Sequence, residues 1–123
     1  MGNPRPLLVS QQHRMLLRGW SADLHFGASE VLVAAKHLVN GQDVTLAPCR
    51  SVTYFHLLFD RHEVLFAENT PCESFHPGDI VTGADVEIMQ ELCALFPDFE
   101  QRKAAGTWDT ARPVLRASEA ALL

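Results

Sequence analysis

The sequence predicts a mainly β single domain spanning residues 1–123, strand-rich over 6–76, with an amphipathic helix over 83–96 and a docked tail over 107–123. Three observations lead there. Short apolar groups recur through the first two-thirds of the chain, with Gly, Asn and Pro between them at about hairpin spacing. Asn40-Gly41 lies between two apolar runs, and this dipeptide supplies the positive φ angles of a tight turn. After Pro77-Gly78 the apolar spacing becomes helical and stays so until Pro97.

Taken in order, Leu7 to Val9, Met15 to Leu17, Leu24 to Phe26 and Val31 to Val33 read as strands of a meander turned at Gly19 and Gly27. Ala34 to Val39 and Asp43 to Leu46 read as a hairpin about Asn40-Gly41. Val52 to Phe59 is apolar on both of its alternating faces, as expected of a central, covered strand. Asp60-Arg61-His62 leads into a strand over Glu63 to Ala67, and Glu68-Asn69-Thr70-Pro71 closes that pair as a loop. Thr82 and Asp85 resemble a capping box ahead of the helix. Val86, Met89, Cys93 and Phe96 form its stripe, flanked by Ile88, Leu92 and Leu95, and the stripe is expected to lie on the sheet as core. The tail, with Trp108, Val114 and Leu115, is apolar enough to dock.

Composition excludes several classes. The 123 residues carry 10 basic and 15 acidic side chains, a net charge of −5, so there is no cationic surplus to neutralise a phosphate backbone and no nucleic-acid partner is expected. The longest apolar runs fall far short of the roughly 20 residues that span a bilayer, so no membrane partner is expected either. Met1 to Pro6 contains no charged, apolar and small-residue sequence of a secretory signal, and the chain reads as cytoplasmic or as a piece of something larger. Cys49, Cys72 and Cys93 are odd in number and widely spaced, and read as reduced thiols. His25, His37, His56 and His76 lack metal-ligand spacing, so neither metal nor cofactor is expected, and His56 reads as a core histidine.

Two stretches carry more information. In Leu7-Leu8-Val9-Ser10-Gln11-Gln12-His13-Arg14-Met15 a hydroxyl precedes a His by three positions between apolar groups, and this resembles the Thr-x-x-His element of Hedgehog/intein (Hint) self-processing domains. Val52, Tyr54 and His56 through Ala67 to Glu73-Ser74-Phe75 is similar to the later strand pair of the same domains, where a Tyr-containing strand is followed by a His near the cleft. Between them, Leu38-Val39-Asn40-Gly41-Gln42-Asp43-Val44 resembles the family's Leu-x-x-Gly-(Asp/Gln)-x-Val segment. Ala111 to Ala120 looks like the end of a bacterial Hint variety. The resemblance covers most of residues 6–120 and implies a partial Hint fold, the later portion of an intein-like β horseshoe.

The resemblance also implies a chemistry. A Cys or Ser at the head of the domain attacks the preceding carbonyl, and the amide nitrogen leaves only if it gains a proton. His13 is the candidate proton donor and Ser10 its orienting neighbour, each such contribution being worth about 10²- to 10⁴-fold. His62 would approach from the facing strand pair, where Asp60 could hold its imidazole in one tautomer. The same residues read equally as a solvated turn with ordinary charge pairing, and His13 as a surface His beside Arg14.

The sequence departs from the family in two places. Only nine residues precede Ser10, and none can serve as the leading nucleophile, so the chain is expected to supply His13 and His62 to a partner, either a missing N-terminal half or a flanking polypeptide. Protein-splicing members end in His-Asn, whereas Pro71-Cys72-Glu73-Ser74-Phe75 offers no Asn to cyclise, which points to Hedgehog-like cleavage. Two non-catalytic readings stand beside this one: a remnant that folds without processing, and a β-rich module that pairs through open strand edges as a homodimer.

Overall fold

The computed structural model describes residues 3–48, 51, 57–76, 86–106 and 108–123. Its centre is a four-stranded antiparallel sheet in the order β2-β1-β4-β3. The strands are β1 (Arg14–Arg18), β2 (Glu30–Ala34), β3 (Val64–Ala67) and β4 (Thr70–Glu73). Around them lie α1 (Trp20–Phe26), α2 (Val86–Leu95), α3 (Phe99–Ala104) and α4 (Ala117–Ala120). The mainly β expectation with one helix is therefore corrected to a mixed domain, a small sheet with several short helices.

The first correction is local. Leu24 to Phe26 belongs to α1, not to a strand. Apolar residues at every second position imitate a strand, but Ala22 and Phe26, four apart, turn inward onto Val31 and Val33, while Trp20 and Leu24 face solvent. Gly27 stops the helix at φ 66°, its N–H bonded to the Asp23 carbonyl at 3.0 Å, a left-handed cap that favours glycine. The helix thus becomes the connection between β1 and β2, which pair in register from Arg14↔Ala34 to Arg18↔Glu30.

Leu7 to Val9 is likewise irregular, and of the expected Asn40-Gly41 hairpin Ala34 ends β2 while neither Ala35 to Val39 nor Asp43 to Leu46 is a strand. Ala35–His37 forms a single 3₁₀ turn, and the chain reverses at Asn40 without a ladder. The turn chemistry is nevertheless used. Asn40 Oδ1 accepts the N–H groups of Gln42 (2.8 Å) and Val44 (3.1 Å), and Gly41 takes φ 78°. The Asn40 and Gly41 N–H groups both donate to the Val44 carbonyl (2.9 and 3.2 Å), so side-chain and backbone bonds together close this reversal without strand arms.

Glu63 to Ala67 does form a strand from Val64 onward, but its hairpin is tighter than the sequence suggests. Glu68 and Asn69 alone make the turn, with φ 49° and 61°, and Thr70 and Pro71 already belong to β4. Phe66↔Pro71 follows the closing pair Ala67↔Thr70, so the Pro71 nitrogen faces β1, where it has no N–H to donate. Pro71 therefore gives no donor to Leu16, which lies opposite it, and the β1–β4 register is the single pair Met15↔Cys72.

Two cores result. Ala22, Val31, Val33 and Leu115 form one, joined by Leu17, Phe26 and Leu38. Leu92, Phe99 and Trp108 form the other, joined by Leu58, Phe75 and Phe96. The helical expectation is met in α2, which ends ahead of Pro97 and buries Leu92, with Phe96 just beyond it, against Phe99 and Trp108. Cys93, expected in the core, is exposed. The Thr82–Asp85 cap, Cys49, most of the Val52–Phe59 strand with Tyr54 and His56, and the side chains of Val86, Ile88 and Met89 lie outside the described residues. Leu57, Leu58 and Phe59, the described end of that expected strand, are irregular. The tail docks in both cores, through Trp108 and Leu115, and runs beside β2 as a parallel bridge, Leu32↔Val114.

Candidate functional site

The Ser10–His13 stretch is a β-turn: the His13 N–H donates to the Ser10 carbonyl at 3.2 Å. A β-turn brings its first and fourth residues within about 7 Å, which is the physical content of a hydroxyl and an imidazole spaced by three. The turn is anchored to the chain after β2. Lys36 N–H donates to the Gln11 carbonyl (3.0 Å) and Ala35 N–H to the His13 carbonyl (2.8 Å). Ser10 and His13 are both half-buried. Val9 and Gln11, which flank Ser10, line a cavity of about 650 Å³ that extends past Met15 and Leu38 to Leu46 and Thr70.

His62 sits elsewhere in a buried polar network. Its ring is almost fully enclosed, and its Nδ1 accepts the N–H of Ala111 at 2.8 Å. Nε2 therefore carries the proton and donates to Glu73 Oε2 at 3.0 Å. The Glu73 carboxylate also accepts the Arg14 N–H through Oε1 (2.9 Å) and the Arg14 guanidinium through Oε2 (3.3 Å). His76 stands edge-on to His62, with ring centroids 4.9 Å apart, and donates from Nε2 to the Trp108 carbonyl. Ser74 completes the hairpin base, its Oγ accepting the Glu63 N–H at 2.9 Å.

Strand register decides which of the expected site residues meet. Arg14 lies opposite Glu73 by continuation of Met15↔Cys72, and His62 lies diagonal to Glu73 by continuation of Val64↔Glu73. These three side chains share one face of the sheet. His13 is one residue from Arg14 on a strand whose pairing with β2 continues through Ala35, so alternation sends its side chain to the other face. A backbone turn thus joins Ser10 to His13, whereas His62 is linked to that turn through β1. Asp60 is exposed, and the expected Asp60–His62 pairing is replaced by Glu73–His62. Alternation would put Asp60 on the face of His62, but the chain bends at Asp60 and Arg61 ahead of β3, so Asp60 stays exposed while His62 turns inward between Arg61 and Glu63, which pair with each other at the surface (3.6 Å).

Sequence reasoning missed Glu73, Arg14, His76 and Ala111 as members of this network. Glu73 stands among Thr70, Cys72, Ser74 and His76, a largely polar stretch that carries no local signal of its burial. Ala111 had none either, because its contribution is a backbone N–H. Cys72 is buried beside Glu73, and burial first, then the neighbouring carboxylate charge, push its thiol above the ordinary value, which keeps it protonated and a poor nucleophile. Among the described residues no three of His, Cys, Asp and Glu are grouped to hold a metal ion, and no helix is long and apolar enough to cross a membrane.

The sequence model of a family described as the Hint domain matches residues 1–79. No curated protein and no solved structure matches the chain.

Proposed function

The chain belongs to the Hint domain family, a family associated with self-processing, and we propose that its Ser10–His13 turn serves an N-to-S or N-to-O acyl shift. In that step a Cys or Ser of a further segment attacks the carbonyl before it. The new C–S or C–O bond replaces the C–N bond, and the thiol or hydroxyl proton ends on the released amine. His13 carries that proton to the nitrogen, and Ser10 orients the peptide. The further segment, in the same polypeptide or in trans, completes the intertwined β horseshoe of the family. The outcome is cleavage with hydrolysis or transfer of the acyl group, in the bacterial Hint manner, because no Asn stands where splicing would need one.

The observation that carries this reading is the closed backbone turn that joins half-buried Ser10 to half-buried His13, flanked by a cavity of about 650 Å³ that Val9 and Gln11 line. His62 serves the site from the opposite face and Asp60 takes no direct part, a revision of the two-histidine expectation. The test joins this chain to a Cys-initiated Hint segment bearing a reporter peptide and follows thiol-dependent cleavage by mass spectrometry. Cleavage is expected, and His13→Ala is expected to slow it by about 10²- to 10⁴-fold. A pair that never cleaves, or cleaves equally well without His13, overturns the reading.

One observation favours a second reading, a β-rich interaction module that forms a homodimer. Among the described residues β3 is the terminal strand of the sheet, and its Phe66 is two-thirds exposed. Sedimentation separates the two: edge pairing requires a dimer that charge substitution at Phe66 dissolves, and a monomer at all concentrations rejects it.

A further inference from the structure

We propose that Glu73 is a positioning residue for His13, acting through the Arg14 N–H, and that the C-terminal segment takes part by fixing the tautomer of His62. The inference rests on the proton-donor role proposed above for His13, but its test does not depend on cleavage.

The peptide unit between His13 and Arg14 is held at both ends. Its carbonyl accepts the Ala35 N–H at 2.8 Å, and its N–H donates to Glu73 Oε1 at 2.9 Å. Fixing that plane limits the rotation that would swing the His13 Cα–Cβ bond away from Ser10. The β2 side of the clamp is main chain, which any sequence could supply. The β4 side is a side chain, because the register pairing with β4 is Met15↔Cys72 and does not extend to Arg14. Glu73 is therefore the one element of the clamp that is specified by residue type.

Glu73 needs its own support, because a carboxylate this enclosed must have its charge compensated. Arg14 supplies the cation, at 3.3 Å. His62 supplies a further N–H, but only in the tautomer with the proton on Nε2. The Ala111 N–H selects that tautomer by donating to Nδ1. Ala111 lies beyond the residues that the family sequence model matches, yet it bonds a residue inside them. The tail is held there by Trp108 and Leu115 in the two cores. The order of dependence is then tail, His62, Glu73, Arg14 N–H, His13. All the side-chain work is done on the face away from the imidazole it positions.

The test is nitrogen-15 NMR on the full chain. In the unaltered protein His62 is expected as a single Nε2–H tautomer. Glu73→Gln is expected to move the ring-nitrogen shifts of His13 and to speed exchange of the Arg14 amide by at least ten-fold, while the amides of Leu92 and Phe99 in the second core stay in place. Ala111→Pro, which removes the donor without touching the sheet, is expected to mix the His62 tautomers and to move His13 in the same direction, and it decides the matter if Glu73→Gln does not fold. Unchanged His13 ring shifts in a folded variant of either kind overturn the proposal. In the reconstituted cleavage reaction, Glu73→Gln is expected to lower the rate by at least ten-fold in the presence of His13 and to have no further effect in His13→Ala. A pair that never cleaves defeats the acyl-shift reading alone, since the NMR result still decides the role of Glu73.

Discussion

At the scale of single residues, His62 is committed at both ring nitrogens, one as donor and one as acceptor. Its removal therefore orphans two groups at once. His62→Ala leaves the Ala111 N–H without its acceptor and the buried Glu73 carboxylate with Arg14 alone, and an orphaned buried group costs about 1–3 kcal/mol. The expected loss is about 2–4 kcal/mol in urea unfolding. A loss below about 0.5 kcal/mol, the level of an ordinary surface substitution, would mean that neither bond matters in solution. The same enclosure explains why Asp60, two residues away and similar in chemistry, was the wrong partner to expect. Alternation alone would bring Asp60 to the face of His62, but the bend at Asp60 and Arg61 leaves Asp60 exposed, and the enclosed carboxylate comes from β4.

At the scale of elements, the attachment of the tail to β2 is partly ionic. Glu30, on β2, bonds the Arg112 guanidinium at 2.9 Å and faces Arg18 at 3.6 Å. The hydrogen bond from Arg112, with the charges of Arg112 and Arg18, holds its carboxyl below the ordinary carboxylate range, against a smaller opposing effect of burial. The folded state thus favours the ionised form more than the unfolded chain does. This contribution is present above the ordinary carboxylate range and is lost as pH falls through the lowered folded value. Unfolding midpoints measured from neutral pH downward should drop more steeply in the unaltered protein than in Glu30→Gln. Equal slopes would place the acid sensitivity elsewhere, and the effect should shrink in high salt because the pair is open to solvent.

At the scale of the whole molecule, the sheet is not closed by its own residues. Val31 and Val33 are buried by α1 on one side and by the docked tail, whose Leu115 enters the same cluster. The tail also satisfies β2 through Leu32 N–H to the Pro113 carbonyl (2.8 Å) and Leu115 N–H to the Leu32 carbonyl (2.9 Å). Leu115→Ala is therefore expected to cost about 2–5 kcal/mol, the range for a leucine removed from a core, whereas the neighbouring Val114→Ala, which is exposed, should cost under about 1 kcal/mol. Thermal unfolding of the two variants measures the contrast. Equal and small effects would show that the tail is dispensable to the sheet.

Read alone, the sequence determined what depends on neighbours along the chain. The strand cores at Met15 to Leu17, Val31 to Val33 and Val64 to Ala67, the reversal at Asn40-Gly41, the helix that stops before Pro97, and the backbone turn from Ser10 to His13 are all set by alternation, turn chemistry or three-residue spacing. Tertiary structure decided what depends on residues far apart: that Leu24 to Phe26 is helical, that α2 packs on Trp108, that His62 answers Glu73 and not Asp60, and that the two expected histidines fall on opposite faces of one sheet. Local signals act over a few bonds and can be read in a string of letters. A buried carboxylate or imidazole is paired by whichever partner the register delivers, and register is a property of the assembled sheet.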